Sequence, residues 1–71
     1  MISIQWAKEI EPYNNMNRVK VFYEKNGKDQ NATFMDYGEK YLLVEDEHYS
    51  RNGLKEDEIE QLAEYVKHFY E

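Results

Sequence analysis

Residues 18–27, RVKVFYEKNG, decide the fold of this chain. Val19, Val21 and Tyr23 alternate with two basic residues and a phenylalanine, and this period of two is typical of a half-buried β-strand. Asn26-Gly27 follows the run, and both residues tolerate the positive φ that a two-residue hairpin turn requires. The stretch therefore predicts a strand near 18–25 that turns back into an antiparallel partner.

A second alternating segment precedes this hairpin. Ile2, Ile4 and Trp6 occupy every other position, which predicts a strand near 2–8 with these three side chains in the core. Pro12 and the polar run 13–17 then predict that the strand has ended, because such clusters are typical of turns.

Two further strands are expected downstream, near 31–37 and 40–46, with Gly38 at the turn between them. Residues 41–44 form a nearly continuous apolar run, which is typical of a strand that is buried on both faces. The fourth strand is therefore predicted to lie in the centre of an antiparallel meander.

The pattern changes its period near the C-terminus. Apolar residues from Ile59 to Phe69 recur at intervals of three and four, which places them on one face of a helix near 55–70. Leu54 precedes this helix and is expected to pack onto its first turn, while Glu58 forms half of a capping box. Acidic residues crowd the first turn, where the helix dipole favours negative charge.

These elements predict an α+β fold, in which a four-stranded antiparallel sheet is followed by one C-terminal helix packed on one face. A single domain, 1-71, is expected. The predicted core consists of Ile2, Ile4, Trp6, Val19, Val21, Leu43, Ile59, Leu62, Val66 and Phe69. Because the chain has no cysteine, no signal-peptide pattern and no long apolar run, we expect a cytoplasmic protein.

The net charge of −6 is concentrated in the last third of the chain. Residues 1–44 carry six acids and six bases, whereas residues 45–71 carry nine acids and three bases. Glu56, Glu60 and Glu64 recur every four residues, at intervals of ~6 Å along a helix. Such like-charge pairs repel, so helix stability gives no reason for the stripe. The acids either contact a basic partner or form a solvated face that aids solubility.

Groups with catalytic or metal-binding chemistry are sparse. His68 follows Glu64 by four residues and is predicted to pair with it on the helix, and His48 follows an acidic cluster where a weak divalent-cation contact is one alternative. The three glycines are isolated, which excludes a glycine-rich phosphate loop. We therefore expect no catalytic residue, no cofactor and no metal site. The net negative charge also disfavours direct binding of nucleic acid or of an anionic membrane.

The size, the absence of cysteine and the acidic segment 45–71 resemble the small acidic proteins that bacteriophages make early in infection. Those include DNA mimics, and the similarity points among them to the Bacillus phage inhibitors of the nucleoid protein HU. The balanced charge of residues 1–44 departs from mimics that are acidic throughout, and it fits a narrower role such as blocking one basic groove.

The resemblance implies an inhibitor that occupies the DNA-binding surface of a basic host protein, such as a nucleoid protein of the HU type. Its carboxylates would replace phosphates at the residues Glu45, Asp46, Glu47, Glu56, Asp57, Glu60 and Glu64. A second hypothesis is a structural or regulatory adaptor that acts through an exposed sheet edge or as a homodimer, without DNA mimicry. A third is a minimal enzyme or metal-binding protein that uses His48 or His68.

Overall fold

A computed structural model describes residues 2–38, 40–44 and 53–69 of the chain. The elements are strands β1 (Ile2–Tyr13), β2 (Met16–Lys25), β3 (Lys28–Asp36) and β4 (Tyr41–Leu43), followed by helix α1 (Glu56–Phe69). The strands pair antiparallel in chain order, and α1 packs on one face of the sheet. The predicted α+β architecture is therefore confirmed. Within the described ranges, no helix is long and apolar enough to span a membrane.

The two predicted turns are present. Asn26 and Gly27 have φ angles of 55° and 78°, which suit the tight hairpin that pairs Lys25 with Lys28. Gly38 has a φ of 94°, and its amide donates to Asp36 Oδ1 at 2.7 Å. Local turn chemistry thus sets both connections, and β3 begins three residues earlier than predicted because it starts directly at the hairpin.

The prediction that Pro12 ends the first strand is wrong. Strand β1 continues through Pro12 to Tyr13, and the chain reverses at Asn14 and Asn15, whose φ angles are 51° and 65°. Pro12 is tolerated because β1 lies at an edge of the sheet and because the pairing register shifts between Ile10 and Tyr13. A proline at an edge or a bulge removes no ladder hydrogen bond.

The prediction that the fourth strand is central is also wrong. Strand β4 has three residues and pairs only with β3, at the opposite edge of the sheet from β1. Tyr41 and Leu43 pack against the core, whereas Leu42 points away and is 42% exposed. The apolar run at residues 41–44 is therefore not a strand buried on both faces: Tyr41 and Leu43 contact the core, and Leu42 is exposed. Residues 45–46 of the predicted strand lie outside the described residues.

The core lies between the sheet and the helix. Eight of the ten predicted core residues are buried or packed against it: Ile2, Ile4, Val19, Val21, Leu43, Ile59, Leu62 and Val66. Four buried residues of this cluster were not in the predicted core, namely Tyr23, Ala32, Phe34 and Leu54, and Met35 is buried on the other side of the sheet. Phe34 pairs with both Val19 and Leu43, so this central position on β3 joins the two halves of the sheet.

Trp6 and Phe69 do not belong to the core as predicted. Trp6 is 49% exposed, because a register shift between Ile4 and Trp6 inserts Gln5 as an extra residue. One extra residue reverses the alternation of side chains, and Trp6 therefore lies on the opposite face of the sheet from Ile4. Phe69 is the last residue of α1 and is 38% exposed.

Replacing Leu62 with alanine tests the placement of the helix. Leu62 is fully buried, so the cavity left by Leu62→Ala should cost ~2–5 kcal/mol, which is comparable to the ~3–5 kcal/mol that so small a core supplies. Phe69→Ala removes a larger but exposed side chain and should cost about 1 kcal/mol or less. Urea denaturation followed by circular dichroism measures both. Equal losses in the two variants would contradict the observed packing.

Candidate functional site

The start of α1 is set by a cap that involves Lys55 and Glu58. The amide of Ile59 donates to the Lys55 carbonyl at 2.9 Å, which makes Lys55 the residue before the first helical turn. The amide of Lys55 donates in return to Glu58 Oε1 at 2.9 Å. This is the predicted half of a capping box, and it satisfies an amide that the helix itself leaves unpaired. Leu54 is buried in the same core that Ile59 contacts.

Glu58 is also held by a lysine from the sheet. Lys25 Nζ lies 2.8 Å from Glu58 Oε1 and donates to the Gly53 carbonyl at 2.8 Å. The hydrogen bond from Lys25, followed by that from the Lys55 amide, lowers the pKa of Glu58 from its usual 4.5 to about 2. Both side chains are largely buried, so this acid anchors α1 to the end of β2 and is not available to a partner.

An open groove of about 540 Å³ lies between β4 and α1. Asp57, Glu60 and Glu64 line it at helical spacings of three and four residues, so their carboxylates share one side of the helix. Its lining residues are Lys40, Tyr41, Asp57, Glu60, Gln61, Ala63, Glu64 and Lys67. Hereafter this is the β4–α1 groove.

The β4–α1 groove is not uniformly acidic. Lys40 and Lys67 contribute positive charge beside the three carboxylates, and Tyr41 adds an aromatic hydroxyl. Burial, with the negative charge of Asp36 as a second cause, raises the pKa of Tyr41 above its usual 10. Tyr41 is therefore neutral at physiological pH. Such a groove suits a cationic side chain that has an aliphatic stem and a hydrogen-bonding head.

The predicted pairing of His68 with Glu64 is confirmed. His68 Nε2 lies 3.1 Å from Glu64 Oε1, and both side chains are exposed at the end of the helix. Across the described part of the chain, no three His, Asp or Glu side chains are grouped to hold a metal ion. His48 lies outside the described residues.

The structure brings together three of the seven predicted partner-binding residues. Asp57, Glu60 and Glu64 line the β4–α1 groove, whereas Glu56 is exposed on α1 and does not line it. Glu45, Asp46 and Glu47 lie outside the described residues. The predicted stripe of Glu56, Glu60 and Glu64 therefore differs from the acids that line the groove, because the groove lies along the side of α1 that adjoins β4.

Five lining residues were missed by the sequence reasoning, namely Lys40, Tyr41, Gln61, Ala63 and Lys67. Lys67 lies three residues after Glu64, so helical spacing could have placed it beside the acids. Lys40 and Tyr41 belong to the segment around β4, and only the tertiary packing brings them to the helix. No protein-family model matches the chain, and no curated protein or solved structure is significantly similar to it.

The low pKa of Glu58 predicts a loss of stability in acid. Because folding lowers this pKa, the unfolded chain binds the proton more readily, and the contribution of Glu58 is present above pH 4.5 and is lost as the pH falls towards 2. In Glu58→Gln this contribution is missing at neutral pH, so the gap in urea midpoint between parent and variant should narrow from pH 5 to pH 2.

Glu60→Gln is the matched control, because it removes the same charge from an exposed position on the same helix. Its urea midpoint should remain close to that of the parent across the same pH range. Indistinguishable profiles for Glu58→Gln and Glu60→Gln would show that the Lys25–Glu58 contact does not stabilise the fold.

Proposed function

We propose that this protein binds a basic DNA-binding protein through the carboxylates of the β4–α1 groove and competes with DNA for that protein. A host nucleoid protein of the HU type is the proposed partner, in line with the resemblance of the sequence to phage inhibitors. The observation that carries the proposal is that Asp57, Glu60 and Glu64 line one open groove.

The shape of the groove supports a partner rich in lysine and arginine. Ala63 and the ring of Tyr41 offer apolar surface to the stem of such a side chain, and the ring adds a cation–π surface. The three carboxylates offer acceptors for the charged head, and charge-assisted hydrogen bonds of this kind are stronger than neutral ones. The net charge of −6 would steer a basic partner towards this protein at low salt.

The spacing of the acids sets the limits of the proposed mimicry. Asp57, Glu60 and Glu64 are separated by about 4.5 and 6 Å of helix rise, whereas one DNA strand presents a charge every ~3.4 Å along its axis. The groove thus offers a lower charge density than a phosphate row. Glu56 adds a fourth acid on the same helix, and Glu45, Asp46 and Glu47 are the further carboxylates that full mimicry requires.

The proposed role is binding without a chemical step. The groove contains carboxylates, amines, an amide and a phenol that resists ionisation, and these groups act as hydrogen-bond partners and as fixed charges. We accordingly propose no catalytic residue, no cofactor and no direct contact with nucleic acid. A DNA-binding host protein would be met in the host cell cytoplasm, where we place this protein.

Charge reversal in the groove tests the proposal. The parent protein should displace a labelled DNA duplex from a purified HU-type protein at low salt, and displacement should weaken steeply as the salt rises. Glu60→Lys combined with Glu64→Lys replaces attraction with repulsion at two exposed positions and should raise the half-maximal inhibitory concentration by about tenfold or more.

Glu9→Lys combined with Glu11→Lys is the matched control, because it makes the same change in charge at exposed positions on β1. This variant should displace DNA nearly as well as the parent. Equal inhibition by the groove variant and the parent would exclude the groove as the binding surface. Failure of the parent to displace DNA at low salt would refute the proposed function itself.

A further inference from the structure

The face of the sheet opposite α1 has its own pattern of residues. Val19, Val21 and Tyr23 point into the core, so the alternate residues of β2 point to the other side. Residues directly opposite one another on paired strands share a face, which extends this side onto β1 and β3. We call it the open face, and its principal residues are Trp6, Lys8, Arg18, Lys20, Phe22, Glu24 and Asp29. Thr33 and Met35 of β3 share this side but are buried, so the exposed part of the open face lies on β1, on β2 and at the end of β3 that carries Asp29.

The centre of the open face is aromatic. Trp6 and Phe22 are cross-strand partners whose rings stack with centroids 4.3 Å apart and planes 8° from parallel. Trp6 is nevertheless 49% exposed. The bulge at Gln5 directs this indole away from the core, and a bulge that re-aims a side chain is typical of a functional position. The stacked pair joins an exposed indole to a half-buried phenylalanine, and such an aromatic pair offers apolar surface to a partner.

Charges of opposite sign lie on the two sides of this aromatic centre. Lys8 is directly opposite Lys20 on one side, and Glu24 is directly opposite Asp29 on the other. Phe22 lies between Lys20 and Glu24 along β2, so the open face carries a basic row, an aromatic row and an acidic row. Like charges placed directly opposite each other destabilise a sheet. Within the chain, Gln5 Nε2 donates to Asp29 Oδ1 at 3.3 Å, and Lys8 Nζ lies 6.0 Å from the centroid of the Trp6 ring.

We propose that two copies of this chain pack open face to open face, about a two-fold axis that lies in the interface and runs along the Trp6–Phe22 row. Rotation about this axis places Lys20 of one copy over Glu24 of the other, with Lys8 and Asp29 one strand to either side of this pair. An axis parallel to the strands would instead stack basic row on basic row. Charge complementarity therefore selects a single isologous arrangement, in which every contact occurs twice.

The proposed packing follows the geometry of two stacked sheets. The strands of the two copies would pack in the aligned manner of β-sandwiches, with the sheets ~10 Å apart. Each copy would cover the exposed indole of the other.

The edges of the sheet are poorly suited to association. Strand β4 has only three residues, and β1 carries Pro12 and two register shifts, all of which obstruct the pairing of a further strand. A nucleic acid strand could stack on Trp6, but the acidic row and the net charge of −6 would repel its phosphates. A second copy meets both charged rows with opposite charge.

This dimer goes beyond the proposed function and does not depend on it. Helix α1 covers the other face of the sheet, so both β4–α1 grooves would remain on the outside of the dimer. Variants of the open face leave the groove residues unchanged. Loss of dimerisation and loss of DNA competition are therefore separate outcomes.

Sedimentation equilibrium and the fluorescence of Trp6 test the dimer on the full chain. Trp6 is the single tryptophan, so its emission reports directly on the open face. The protein should be a dimer at tens of micromolar, and dilution should yield monomer with a red shift of the emission as the indole meets water. A monomer at all concentrations would overturn the proposal. So would an emission change caused by single-stranded oligonucleotide in a protein that shows no dimer.

Complementary charge reversals give the sharper test. Lys8→Glu with Lys20→Glu makes the whole face acidic, and Glu24→Lys with Asp29→Lys makes it basic, so each double variant alone should dimerise at least tenfold more weakly than the parent. An equimolar mixture of the two should recover a heterodimer, which also shows that both variants fold. Failure of the mixture to associate, or parent-like dimerisation of each variant alone, would overturn the arrangement.

Lys40→Glu with Lys67→Glu is the matched control for these reversals. It makes the same charge change as Lys8→Glu with Lys20→Glu, but in the β4–α1 groove on the other side of the sheet. This variant should dimerise as the parent does. A comparable loss of dimer would show that net charge, and not the open face, governs association.

Discussion

Within the described residues, one helix of 14 residues packs on one face of the sheet, and the remaining structure depends on that constraint. Leu62 and Val66 are fully buried against the inward residues of the strands, and Leu54 extends the same core beyond the start of the helix. The inward-pointing residues of the strands therefore form the hydrophobic core with the helix. On the other face, Thr33 and Met35 are buried, whereas Trp6 is 49% exposed.

The position of α1 is fixed at its first turn by the contact between Lys25 and Glu58. This contact joins the end of β2 to the helix cap, and the Gly53 carbonyl completes it. It also divides the acids of the first turn into two groups. Glu58 turns inward and stabilises the fold, whereas Asp57 lies on the side of the helix that lines the β4–α1 groove. The dense acidic sequence around 56–60 is thus only partly available to a partner.

The net charge of −6 is the sum over two surfaces that differ in how their charges are arranged. The β4–α1 groove combines carboxylates with two lysines, while the open face on the other side of the sheet separates its charges into a basic and an acidic row around Trp6. A groove of the first kind suits lysine and arginine side chains of a basic protein. A face of the second kind is complementary to itself. The two proposals therefore use different residues and different physical arguments, and a dimer would present two grooves at once.

The sequence by itself determined the elements and their order. The period of two, Asn26-Gly27, the change to helical spacing and the cap at Glu58 are local patterns, and local patterns are sufficient to predict a meander followed by one helix. They were also sufficient to place most of the core and to pair His68 with Glu64. Of the candidate site, Asp57, Glu60 and Glu64 were among the predicted acids, but the predicted stripe contained Glu56, which does not line the groove.

Only the tertiary structure decided which face, which edge and which partner each residue has. One extra residue at Gln5 moved Trp6 out of the core, since a shift of one residue in a strand exchanges its two faces. Pro12 was compatible with β1 because that strand lies at an edge, which no local pattern reveals. Lys25 meets Glu58 across 33 positions, and Lys40 and Tyr41 meet α1 only through packing. Such contacts form only when separate elements pack around one small core, so they cannot be predicted from the spacing of residues along the chain.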